Sequence, residues 1–496
     1  MVGLQEATEH SAGRGAARPP RRHVAAPALR DRVLGVCLAA IPATGVALFG
    51  AVEPDHALPL EAAALLVGAW AVVTRARRGE RPLPLPRLTL PVLLLAALPA
   101  AQLLPLPGGL PALLAPGLQR FGLASVRTIT VDQQATVLAL LRWLSYAAFL
   151  IAALEILPRR GAAAAALTAV ATLGVLEAVY GIGNLLAGNE YILWVPRDTF
   201  AGDATGTLVN RNHYAALFEL CLPALLARRW LGAGRRDADE LGRTAFAVGA
   251  AGAMGLAVLL SHSRAGTVAL AAGLAIGAGL ASRAGQGPGP RRIAIAVVAL
   301  SLAYGSWVGL RPLTERFAAL PADSIELRGA LWRDAIDVAA DFPLAGVGAG
   351  GFEAVFPAYR RRLDDQSSWA HAHQDTLELV IETGISGLAL ALLAALGFGR
   401  RLRTVLTGAG PGERAAAATL AGGIAAMLLH AQVDFPLHIP GIVYLLLLIA
   451  AATVSLPAQA VASQRSSASS VNRRPPWSRR PERCSPTSAP TAAGLT

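Results

Sequence analysis

Long apolar runs recur along the chain from about position 33 to 455, separated by short breaks that carry arginine, glycine and proline. A helix needs about 20 largely apolar residues to cross the hydrocarbon core of a bilayer. About twelve stretches meet that requirement: 33–51, 58–74, 88–106, 137–157, 162–186, 213–230, 244–260, 264–282, 293–310, 376–399, 415–432 and 437–455. The third is followed by "LPLPGGLPALLAP", which either leaves the membrane or dips back into it. Between the ninth and tenth runs lies a long, partly helical loop at 311–372, the one connection that is not brief. The pattern predicts an all-α polytopic membrane protein.

Composition agrees with the pattern. Of the 496 residues, 54% are hydrophobic and 15% are charged, and the mean hydropathy is +0.48, outside the range of ordinary soluble globules. Arginine placement orients the helices, because cytoplasmic loops carry an excess of basic residues. With the N-terminus inside, nineteen arginines fall in the inner loops and five in the short outer ones. The expected organisation is a basic cytoplasmic tail at 1–32 without a signal peptide, a membrane domain at 33–455 and a Ser/Pro/Arg-rich cytoplasmic tail at 456–496. Both tails lack apolar periodicity and read as disordered.

The net charge of +12 is accounted for by this topology and by contact with anionic lipid, so no nucleic acid is expected as a partner. Every one of the 44 basic residues is arginine, which a GC-rich genome explains without any ligand. Cys37, Cys221 and Cys484 lack the spacing of a metal site or a disulfide framework.

On this topology the polar residues collect at one level. His56, His213, His262, His371, His373, His430 and His438 fall at or near the outer face, with Arg211, Arg264 and Asp434. Glu177, Glu219, Glu378 and Glu382 lie inside apolar runs, where such groups are costly and face a bundle interior or water. Glu378 and Glu382 are four apart and share a helix face. The competing explanation for any single histidine or arginine is an interfacial anchor. It does not account for the whole set.

"HAHQD" at 371–375 also begins some binuclear metal sites, but the outer loop supplies no third histidine, and no metal is expected. "GVGAGG" at 346–351 lacks the strand-helix unit of a dinucleotide site and reads as tight turns.

Four segments in order, "GTLVNRNHYAALFELCLPALL", "SHSRAGTVALAAG", "RGALWRDAIDVAADFPLAGVGAGGFEAVFPAY" and "AHAHQDTLELVIETGISGL", resemble the O-antigen ligase and polymerase family of bacterial membrane glycosyltransferases. The resemblance covers about 206–387, and His373, Gln374 and Gly384 fit the family's histidine pattern. "QDTLELVIETG" departs from the usual "NEYLELL". The resemblance implies transfer of a glycan from an undecaprenyl-diphosphate carrier to an acceptor hydroxyl, without a metal or other cofactor, on the outer face of the inner membrane. The acceptor is the lipid A core in ligases and another carrier-linked glycan in polymerases.

The residues suit that chemistry. Arginine presents a fork of donors to phosphate oxygens, so Arg264 and then Arg211 are candidates to bind the donor diphosphate. Histidine titrates near working pH; His373 is the candidate base, and His371 orients it or contacts substrate. Asp375, Glu378 and Glu382 either hold a histidine tautomer or satisfy polar groups between helices. Arg328 and Trp332, four apart in the long loop, share a face that grips substrate or serves as a lid. A transporter or flippase for a lipid-linked oligosaccharide is the rival from another class, but such proteins favour a midplane site between repeated halves, and no repeat is present.

Overall fold

A computed structural model describes residues 29–122, 127–159, 161–188, 190–232, 240–308, 322–363 and 369–471. The N-terminal tail up to residue 28, the loop residues 309–321 and 364–368, and the C-terminal tail from 472 lie outside the described residues. Each of the twelve expected apolar segments coincides with one long helix. These are α1 (Leu29–Ala47), α2 (Pro54–Arg77), α3 (Pro86–Leu103), and, after a short α4 (Leu110–Leu114), α5 (Gln133–Ile156) and α6 (Ala162–Leu186). They continue with α7 (Arg211–Gly232), α8 (Glu240–Leu260), α9 (Arg264–Arg283) and α10 (Gly289–Val308). After two loop helices, α11 (Ala322–Asp341) and α12 (Phe352–Val355), come α13 (Asp375–Gly408), α14 (Pro411–His430) and α15 (Pro440–Val471).

Among the described residues, seven helices are long and apolar enough to cross a membrane by length and composition: α2, α3, α5, α6, α8, α9 and α13. The protein is an all-α polytopic membrane protein. Among the described residues the one strand pair is a minimal ribbon, Tyr191–Ile192 against Val195–Pro196. The last apolar stretch begins at Pro440, three residues later than the pattern predicts, and its helix continues through "SQRSSASSV" into the stretch read as tail.

Burial sorts the helices by position. Every residue of α7 from His213 to Ala227 is buried, as is nearly all of α15 from Pro440 to Leu456, so these two form the axis. The peripheral helices turn Leu66, Leu176, Val268, Leu392 and Leu396 outward, as expected where lipid replaces water. The close approach of α9 and α14 depends on small residues: a Cβ at Gly273 or Gly422 would strike the backbone of the facing helix. Such small-residue seams let apolar helices gain packing contacts that lipid offers equally elsewhere.

A second hydrophobic core covers one end of the bundle. Leu118, Ile129, Leu331, Val338, Phe342, Phe352, Phe356 and Tyr359 pack there. The described residues of the segment after α3 pack into this cap. Its Gly117 lies against the Phe342 ring, and it joins α11 in this cap. The cap is joined to the bundle through a break in α13. At Gly384 (φ 65°, ψ −165°) the helix opens, and the carbonyls of Ile381 and Glu382 accept from the Val347 and Gly348 amides at 2.9 and 3.1 Å. Gln102 adds a side-chain amide to the Ala345 and Glu382 carbonyls, both at 2.8 Å. Non-helical backbone at this depth persists because the glycine-rich turn satisfies it.

Candidate active site

Three elements beneath the cap bring the histidines together: the turn before α13, the turn between α14 and α15, and the start of α7. Phe435 is their common surface. The His371 ring stacks on it at 4.5 Å, and His213 and His373 meet it edge-on at 4.7 and 4.6 Å. An aromatic face fixes imidazole planes without consuming their nitrogens. The α11 helix holds both turns from above. Arg328 Nη1 donates to the Val433 carbonyl at 3.1 Å and Trp332 Nε1 to the Ala372 carbonyl at 3.0 Å. The two residues do share a face, and it carries backbone-gripping donors.

Four of the histidines face carboxylates. His371 Nδ1 lies 2.7 Å from Glu378 Oε1, while Glu378 Oε2 accepts from the Ala372 amide at 2.8 Å. His438 Nδ1 lies 2.7 Å from Asp375 Oδ1, and its Nε2 is 3.2 Å from Glu378. His430 Nδ1 meets Glu219 at 2.7 Å. His373 Nδ1 is 3.5 Å from Asp434, too long for a strong hydrogen bond, and such bonds commonly tighten when substrate arrives. His373 sits at φ 52°, in the left-handed region. That turn projects it ahead of α13 instead of letting it continue the helix.

The pairing decides what the carboxylates do. Asp375 and Glu378 hold histidines, and Asp375 also accepts from the Leu437 amide at 3.0 Å. Glu382 is different: although it shares a face with Glu378, its carboxylate is under the influence of the Gly350 and Phe352 amides of the glycine-rich turn. It fastens the cap.

Outside the membrane-spanning stretches, burial works to raise the Asp434 carboxyl. The His373 interaction and the charges of His213 and His430 outweigh burial and hold it below the usual carboxylate range. Burial likewise disfavours the charged His438 ring. The Glu378 charge and the Asp375 hydrogen bond prevail and raise its pKa to about 10.

Arg264 and Arg211 belong to the adjoining part of the same end. Arg264 is the first residue of α9, whose N-cap Ser263 accepts from the Gly266 amide. Gly266 lies so close to His430 that a side chain there would reach its ring. Arg211 Nη1 donates to Asp203 Oδ2 at 2.8 Å, and its guanidinium lies over the Phe200 ring at 5.4 Å. Asp203, nearly fully buried, gives its other oxygen to His262 Nδ1 at 2.7 Å. His262, like His373, has φ 52° and precedes a helix by two residues. Arg197 closes this cluster with bonds to Thr205 and to the Phe200 carbonyl.

Sequence reasoning missed Asp203 as a site residue, since it stands in a Gly-rich loop where a carboxylate reads as solvated. It noted Asp434 and His438 at the outer face and gave neither a role. Their signal was the spacing of four in "HAQVDFPLH", from His430 to Asp434 to His438.

Residues 249–392 match the family model of O-antigen ligase. Over that stretch the chain is similar to O-antigen ligase. The matched stretch begins beyond "GTLVNRNHYAA" and runs through His262, Arg264, the α11 helix, both histidines of "HAHQD", Glu378 and Glu382. Asp203, Arg211, His430, Asp434 and His438 reach the site from outside the O-antigen ligase match. No curated protein matches the chain.

His371, Glu378 and His438 also present one ligand atom each, all within 4.8 Å of one another, a set able to hold a metal ion. As found, each histidine has a carboxylate oxygen as its partner, so the group is satisfied without an ion.

Proposed function

We propose that the protein transfers a glycan from an undecaprenyl-diphosphate carrier to an acceptor hydroxyl at the outer face of the bacterial inner membrane, with both termini in the cytoplasm. The observation that carries this reading is the convergence, at one end of the bundle, of a histidine facing a carboxylate with two arginines held on helix starts. A transporter has no need of a base beside its phosphate-binding groups.

In the reaction the acceptor hydroxyl attacks the anomeric carbon and passes its proton to His373. The bond from that carbon to the diphosphate oxygen breaks, and its electron pair leaves with the carrier diphosphate. Asp434 steadies the imidazolium that forms. Arg264 takes the developing charge, aided by the amides at the start of α9, whose dipole favours an anion there. Charge stabilisation from preorganised donors is a large part of catalysis of this kind. Arg211, locked by Asp203, supplies the second cation. Glu378 and Asp375 keep His371 and His438 in fixed orientation.

A transfer assay with a defined undecaprenyl-diphosphate glycan donor tests the reading. Arg264→Lys should be impaired nearly as badly as Arg264→Ala, because an ammonium cannot offer paired donors to two phosphate oxygens. Full activity in Arg264→Lys would remove the bidentate role. Activity lost on adding chelator would transfer His371, Glu378 and His438 to metal binding. Lipid A core as the acceptor makes the enzyme a ligase; a second carrier-linked glycan makes it a polymerase.

A further inference from the structure

At the opposite end of the bundle lies a second polar assembly that the transfer reaction does not use. Thr136, at the start of α5, bonds to the Ala349 carbonyl beneath the cap. Glu155, near the end of the same helix, is therefore roughly 30 Å away at the helical rise per residue. Glu155 is buried and receives three arginines: Arg75 at 2.9 Å, Arg78 at 2.7 Å and Arg159 at 3.0 Å. Glu80 approaches Arg75 at 3.2 Å. Arg77 and Arg81 are exposed in the same stretch, so five arginines accompany two carboxylates. A guanidinium has five N–H donors, and this cluster leaves both donors and positive charge unspent.

A cavity of about 330 Å³ opens next to this cluster, lined by Leu34, Cys37 and Leu38 of α1, Leu66, Val67 and Trp70 of α2, and Ile156 of α5. Two residues join cavity and charge. Ile156 follows Glu155 directly, and Trp70 lines the cavity while its ring lies 5.3 Å beneath the Arg159 guanidinium. Arg30 stands one turn before Leu34 on α1, on the same face, and is exposed. Leu66 is 72% exposed, so the cavity opens sideways, toward lipid.

We propose that this is a binding site for one anionic phospholipid, with an acyl chain in the α1–α2–α5 cavity and the headgroup phosphate on Arg159 and Arg30. The apolar lining excludes a free anion as the natural occupant, and the excess of arginine excludes a zwitterionic lipid as the preferred one. Charge complementarity and the place of Trp70, an interfacial residue type, between cavity and Arg159 fix the lipid's orientation. The site lies in the leaflet opposite the histidine cluster, where basic residues near the surface attract anionic lipid.

The full chain, purified in detergent, would be titrated with phosphatidylglycerol or with phosphatidylcholine of the same chains, and retained lipid counted by native mass spectrometry. Retention should favour phosphatidylglycerol. The preference should fall about fivefold for each arginine removed in Arg159→Gln and Arg30→Gln. Cys37→Trp, which fills the cavity and leaves the arginines intact, should reduce retention of phosphatidylglycerol. Arg30 is exposed and its replacement leaves Glu155 paired, so that arm stands if Arg159→Gln does not accumulate. Equal retention of the two lipids would overturn the proposal. So would an unchanged preference in both arginine variants, unchanged retention in Cys37→Trp, or full displacement by glycerol phosphate.

Discussion

At the residue scale the site distinguishes two histidines that stand two positions apart. His371 is committed to Glu378 at 2.7 Å and stacked on Phe435, whereas His373 faces Asp434 at 3.5 Å with its ring edge-on to Phe435. That difference favours His373 as the group that takes a proton. His373→Asn should lower the transfer rate by about a hundredfold to ten-thousandfold, the usual loss when a general base goes, while asparagine tolerates the left-handed backbone. His371→Ala should cost less; the opposite ranking would exchange their roles. Asp203→Asn probes the arginine side. The amide keeps the shape but loses the charge that orients Arg211 and His262, so affinity for donor should fall, with folding preserved by thermal melting. An Asp203→Asn protein with unaltered donor affinity would make that cluster structural.

At the element scale, the break in α13 ties the site to the cap. Gly384 has an essentially glycine-only backbone conformation that costs another residue about 1–3 kcal/mol, and a Cβ there would also strike the Leu344 carbonyl. Gly384→Ala should therefore lower the thermal midpoint and, because the first turns of α13 carry Asp375 and Glu378, reduce transfer too. A variant with wild-type melting and activity would show that the break is incidental. The two functions of the acidic pair follow from the same geometry. Glu378 sits one turn nearer the histidine turn and meets His371, while Glu382 sits beside the break and meets the amides of the glycine-rich turn.

At the scale of the whole molecule, the site end holds opposite charges in close pairs, and stability should depend on pH accordingly. His438 has a folded pKa of about 10, above that of a free imidazole, so the folded state binds its proton more tightly than the unfolded chain. Its contribution is complete below about pH 6.5 and is lost as pH rises toward 10. Asp434 acts in the other direction: its depressed pKa stabilises the fold above the ordinary carboxylate range, and that contribution goes as pH falls below about 4. Thermal midpoints should thus decline from neutral to alkaline pH, and His438→Gln should flatten that decline. An identical alkaline slope in His438→Gln would detach it from the charge pair.

Taken alone, the order of residues determined the helices. A run of about 20 apolar side chains stabilises a spanning helix through local backbone bonding and transfer from water, so all twelve segments were legible, as was the grouping of His371, His373, His430 and His438 with Asp434. "GVGAGG" was also legible as turns, and its glycines at 346, 348 and 350 have positive φ. The partner of each polar group was decided by tertiary structure alone. Asp203 reaches Arg211 across a loop and His262 from another helix end; Glu378 and Glu382 share one face yet serve different elements; Gln102 bonds to carbonyls more than two hundred residues away. Helix formation is a property of neighbours along the chain. A hydrogen bond between loops depends on how helices pack and where one of them breaks, and a lone carboxylate in a glycine-rich stretch carries no trace of that.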